Sequence, residues 1–141
     1  MHILSKKKVM FMIWAINSSE HIDYKNCNNG AEQHVCPVEL TMKVLGGKWK
    51  MLILFHLNAG PRRFSELRKS ITGITEKMLT QQLKELEADG VVSRKVYPQV
   101  PPKVEYSLTE YGDTLGPVIK EMAKWGNLHK KRVLAAKDND G

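Results

Sequence analysis

Apolar positions recur at three- and four-residue intervals over most of residues 36–133, and at two-residue intervals only between residues 91 and 108. That contrast predicts a mainly α-helical chain carrying one small antiparallel β-hairpin. Pro37 suits a first helical turn, where its missing N–H has no intrahelical partner to lose, and this puts Cys36 at the N-cap. Val38, Thr41/Met42 and Leu45 share a face of this short helix, which Gly46-Gly47 ends. A second helix over residues 49–57 brings Trp49, Leu52, Ile53 and His56/Leu57 to one side and should be core; Asn58-Ala59-Gly60-Pro61 stops it.

Two helices with a tight joint follow. Residues 64–71 are amphipathic through Phe64, Leu67 and Ile71, and Thr72-Gly73-Ile74 breaks the pattern. Thr75 then offers an N-cap for a longer helix over residues 76–89, with Gly90 as a left-handed terminator. Leu79, Leu83 and Leu86 fall at i, i+4 and i+7 and must face inward, so Lys77, Thr80, Gln81 and Lys84 face outward. A helix, a tight turn and a longer helix with a polar outer face make the helix-turn-helix pattern.

After Gly90 the period becomes two. Val92, Arg94 and Val96 alternate with Ser93, Lys95 and Tyr97, residues 98–102 turn the chain with three prolines, and Val104, Tyr106 and Leu108 alternate on the return. Thr109 caps a last helix running from residue 110 to about residue 133, kinked by Gly112, Gly116 and Pro117. Its stripe of Leu115, Val118/Ile119, Met122, Trp125 and Leu128/His129 lies outside the compact helix-hairpin unit. Such a stripe needs a partner, so Leu115, Ile119, Met122 and Trp125 are the expected dimerisation residues. Residues 134–141 read as a disordered tail.

Residues 1–34 have a different texture. Lys6-Lys7-Lys8, a short apolar stretch and a polar segment follow one another, but no small-x-small cleavage site follows, so a secretory leader is not the reading. The segment is taken as an extension, partly disordered or in contact with a partner subunit, before a single domain over residues 35–133. With 141 residues, 42% hydrophobic, the chain can build a core without staples. Two cysteines are too few for a disulfide framework, and no apolar run reaches the roughly 20 residues that cross a bilayer. The formal net charge of +7 favours a polyanionic partner.

The outward tips of residues 76–89 and the basic hairpin meet the needs of duplex recognition. A helix fits the major groove, and a flanking ribbon reaches backbone or minor groove. Thr80, Gln81 and Lys84 are the base-edge candidates and Lys77 a phosphate contact; Arg94, Lys95 and Lys103 are hairpin contacts. The other reading of the same face is a winged-helix module that holds a protein partner without DNA. Catalysis has no motif behind it: Gly46-Gly47-Lys48 lacks the first glycine of a phosphate loop, with Met42 there, and its Ser/Thr, with Trp49 there. Neither G-x-S-x-G nor H-E-x-x-H occurs. His21, Cys27, His34 and Cys36 follow no compact pair-plus-pair spacing, so neither metal nor cofactor is expected.

The motifs Cys36-Pro37-Val38-Glu39, Gly47-Lys48-Trp49, Arg63-Phe64-Ser65-Glu66-Leu67, Ile74-Thr75-Glu76-Lys77-Met78-Leu79, Gly90-Val91-Val92 and Glu105-Tyr106-x-Leu108-Thr109 occur in order, with Trp125 later. Over roughly residues 35–128 the chain resembles the HxlR-type family of bacterial winged-helix transcription regulators, relatives of MarR. The resemblance implies a cytoplasmic homodimer, held by N-terminal and C-terminal helices, that binds an inverted-repeat operator, usually repressing and sometimes activating. It also sets Cys36 where several such proteins carry a cysteine that senses peroxide, quinones or aldehydes. At a helix start the free N–H groups favour thiolate, the reactive species; against this stands a small buried side chain that only packs. Cys27 could resolve an oxidised Cys36.

Overall fold

The computed structural model describes residues 36–140; the N-terminal extension, with His21, Cys27 and His34, lies outside them. The elements are α1 (Pro37–Leu45), α2 (Lys50–Asn58), β1 (Arg62–Arg63), α3 (Phe64–Ser70), α4 (Glu76–Ala88), β2 (Val92–Tyr97), β3 (Lys103–Leu108), α5 (Glu110–Asp113) and α6 (Gly116–Asn139). A three-stranded antiparallel sheet in the order β1-β3-β2 closes one side, with Val92 opposite Leu108 and Tyr97 opposite Lys103. β1 was not expected. Two residues carry no period, and they become a strand only because β3 supplies partners, Tyr106 for Arg62 and Glu105 for Arg63.

The core forms where the apolar faces of α2, α3 and α4 converge on the sheet. Ile53, Leu54, Leu67, Leu79, Leu83 and Leu86 are all but inaccessible. Each such side chain contributes on the order of 1.5–3 kcal/mol by leaving water. Trp49 backs this core from the start of α2, and its indole lies 3.8 Å from where a Cβ on Gly73 would stand. Gly73 makes the helix-turn-helix joint at φ +86°, in the left-handed region, so the tight turn requires a residue without a Cβ.

Three details differ from the expected pattern. α2 is apolar nearly all round, so spacing does not choose its inner face: Leu54 is buried while Leu52 is exposed. The last helix is not one kinked rod. Thr109 caps a single turn, α5, through a bond from the Gly112 N–H, and α6 starts afresh at Gly116 with Pro117 in its first turn, the position that proline tolerates. The helix also continues through Leu134, Ala135, Ala136 and Lys137 to Asn139. These are strong helix formers with no breaker among them, so a disordered tail from residue 134 is replaced by helix.

Candidate DNA interface and dimer surface

α4 is set by its first turn. The Thr75 hydroxyl accepts from the Met78 N–H at 3.1 Å, and Arg68 on α3 pairs with Glu76 at 3.3 Å. With Leu79, Leu83 and Leu86 buried, Lys77, Gln81 and Lys84 form one exposed stripe at i, i+4 and i+7. Thr80 is half-buried beside it, its hydroxyl donating to the Glu76 carbonyl at 2.8 Å, which leaves its methyl and the oxygen's two lone pairs for a ligand.

The wing divides the three expected hairpin contacts between its two faces. Arg94 shares a cleft with Thr80, Lys84 and Glu87 between α4 and the sheet, lined below by Phe64 and Tyr106. Lys95 and Lys103 stand on the opposite face, gathered around Tyr97. Their ammonium groups lie 4.8 and 4.6 Å from the Tyr97 ring centre, the Tyr97 hydroxyl donates to Glu105 at 3.3 Å, and Lys103 pairs with Glu105 at 3.3 Å. Tyr97 was missed as a candidate, although its two-residue offset from Lys95 puts both on one face of β2.

Sequence reasoning also missed Lys50 and Glu85. Lys50 is 8% exposed, the buried charged residue among those described, and its Nζ lies 2.7 Å from Glu85 Oε2 on α4. Glu85 Oε1 accepts from Gln81 Nε2 at 3.0 Å. The Gln81 hydrogen bond and the Lys50 ammonium hold the Glu85 carboxyl below its ordinary value of 4.5. Spacing alone could not have found it: Lys50 stands at i−3, i−4 and i−7 from Ile53, Leu54 and Leu57, and only packing shows that their face of α2 is the buried one.

The dimer candidates separate as well. Ile119 is inside the protomer's own core and Leu115 packs against it, so these two stabilise the protomer and leave the exposed face. Met122 and Trp125 are 52% and 64% exposed, and Leu128 continues their stripe. Trp125 stacks on His129 with ring centres 5.1 Å apart. An apolar hollow runs from Asn58 along Pro117, Val118 and Met122 to Trp125. α1 adds Val38, Leu40 and Met42, all exposed. Cys36 holds the N-cap of α1 as spacing predicts, is 7% exposed, and its sulfur is disulfide-bonded. Among the described residues no cluster of three or more potential metal ligands occurs, and no helix is long and apolar enough to cross a membrane.

Comparison with known proteins bears on this geometry. The HxlR-like helix-turn-helix family model matches residues 44–133. An uncharacterised HTH-type transcriptional regulator of Bacillus subtilis, YdeP, is 59% identical over 98 residues, covering 70% of this chain and 77% of its own. The redox regulator HypR in its reduced form superposes with a TM-score of 0.65 at 52% identity, covering 70% of this chain and 98% of HypR. The reduced form of the transcriptional regulator YodB from B. subtilis superposes at 0.58 with 44% identity, covering 66% of this chain and 92% of YodB.

Proposed function

Because this chain belongs to the HxlR-like helix-turn-helix family of transcriptional regulators, we propose that it binds promoter DNA in the cytoplasm as a homodimer, through α4 and the wing. The observation that carries the reading is the exposed Lys77–Gln81–Lys84 stripe on a helix whose opposite face is locked into the core, with Arg94 beside it. A two-fold pair of such helices meets successive major grooves about 34 Å apart, so the operator is an inverted repeat with half-sites one turn apart, and occupancy of a promoter represses. An electrophoretic shift with promoter fragments at increasing salt tests it. Affinity falls steeply with salt and favours an inverted repeat; indifference to both overturns the reading.

Neutralising Lys77, Lys84 and Arg94 together distinguishes this from a protein-interaction module. DNA binding collapses in the variant, whereas a partner held by apolar contacts is retained.

Cys36 is the proposed point of redox control. It begins α1, whose exposed Val38, Leu40 and Met42 belong to the dimer surface, so a change at its sulfur acts at the start of that helix. HypR and YodB, both similar over most of their length, are regulators described by their redox state. Diamide accepts the two electrons and two protons released when two thiols close a disulfide. Promoter binding by reduced protein changes on diamide treatment and Cys36→Ser abolishes that response; an equal response in both overturns the role.

A further inference from the structure

We propose that Lys50 and Glu85 are positioning residues for Gln81, fixing its amide so that α4 reads an adenine; the proposal rests on the DNA-binding reading above. Lysine is almost never buried without a partner. Here the ammonium sits at the inner face of α2, and its partner is a carboxylate on the neighbouring recognition helix, 2.7 Å away. An apolar residue would fill the same space at lower desolvation cost. What the ammonium adds is a fixed counter-charge that holds the Glu85 side chain towards α2.

The second carboxylate oxygen then dictates how Gln81 is oriented. Glu85 is kept ionised by the Gln81 and Lys50 contacts, and an ionised carboxylate only accepts hydrogen bonds. Gln81 must therefore present its NH2 group to Glu85, as it does at 3.0 Å, and cannot flip to present its carbonyl. Left for a ligand are the Gln81 amide oxygen and the second amide hydrogen. That pair matches adenine in the major groove, whose N6 amino group donates and whose N7 accepts. A glutamine fixed in advance also loses less side-chain freedom on contact with the base than a free one.

The test uses the full-length protein and duplexes that it selects from a randomised pool, followed by competition with each base changed in turn. Wild-type protein prefers adenine by about tenfold at one position of each half-site. Gln81→Ala abolishes that preference. Glu85→Gln, whose amide can donate or accept, and Lys50→Met, which keeps the apolar stem and loses the charge, each reduce it to within about threefold while the salt dependence stays unchanged. In a Gln81→Ala background neither change has any further effect on discrimination, whereas a merely structural role would add to it. Thermal melting of Lys50→Met and Glu85→Gln identifies any variant that fails to fold, and the other then carries the comparison. Full adenine preference in a folded Glu85→Gln or Lys50→Met, or additive losses in the double variants, overturns the proposal while DNA binding stands. Wild-type protein that selects no sequence overturns the DNA-binding reading, and the proposal falls with it.

Discussion

Tyr97 gathers two cations on one face of the wing. Both lysines lie against the ring, and Glu105, bound to the hydroxyl and to Lys103, keeps the group together at the outer face of the hairpin. Each cation–π contact contributes on the order of 0.5–1 kcal/mol at such exposure. Tyr97→Phe keeps the ring and should leave DNA affinity nearly unchanged; Tyr97→Ala should lower it and reduce the magnitude of the log K against log salt slope by about one. Titrations at four salt concentrations measure both. Glu85 gives a second prediction at this scale. Its folded pKa is depressed, so its contribution to stability is present above the unfolded value, near 4.5, and is lost as pH falls through the lower folded value. Glu85→Gln should melt below wild type at pH 7, and the gap should close as pH drops below 4.5.

Among the elements, α4 and the α5 turn depend on short polar residues at their starts. Thr75 satisfies the Met78 N–H, and Thr75→Ala should cost about 1 kcal/mol by urea unfolding, with no change in the unfolding slope. Thr109 ties the end of the wing to the end of α4, donating to the Gly90 carbonyl at 2.6 Å while accepting from Gly112. Gly112 lies so close beneath the Val91 carbonyl that a Cβ there would collide with backbone. Gly112→Ala should therefore destabilise by about 1–3 kcal/mol or more, since neither strand nor turn can yield without breaking the Thr109–Val91 hydrogen bond. These contacts also explain why the break before α6 was hard to read. Glycine and proline spacing announced an interruption near residues 112–117, but whether the chain kinks or restarts depends on the contact with Val91, distant in sequence.

At the level of the molecule, Met122, Trp125 and Leu128 on α6 and Val38, Leu40 and Met42 on α1 are exposed apolar side chains, the surface that the proposed dimer covers. Trp125→Glu should convert the protein to monomer by analytical ultracentrifugation. The thermal midpoint extrapolated to low protein concentration should change little, because Trp125 makes no part of the buried core. Binding to an inverted repeat should fall by at least tenfold, since two half-sites then have to be filled independently. Ile119→Ala should behave differently, costing about 2–5 kcal/mol in the protomer itself.

Local pattern determined which segments are helices, where the period changes to that of a hairpin, and which residues of α4 face water, because three leucines at helical spacing admit one inner face. The starts of α1 and α4 are local for the same reason: Pro37 suits a first turn, and the Thr75 hydroxyl accepts from an amide within one turn. Tertiary structure decided everything that needs a partner distant in the chain. β1 exists through its pairing with β3, α2 found its inner face only against α3 and α4, Ile119 went to the core and Trp125 to the surface, and Lys50 met Glu85. A one-dimensional period records which residues share a face; which face is covered, and by whom, is fixed by packing.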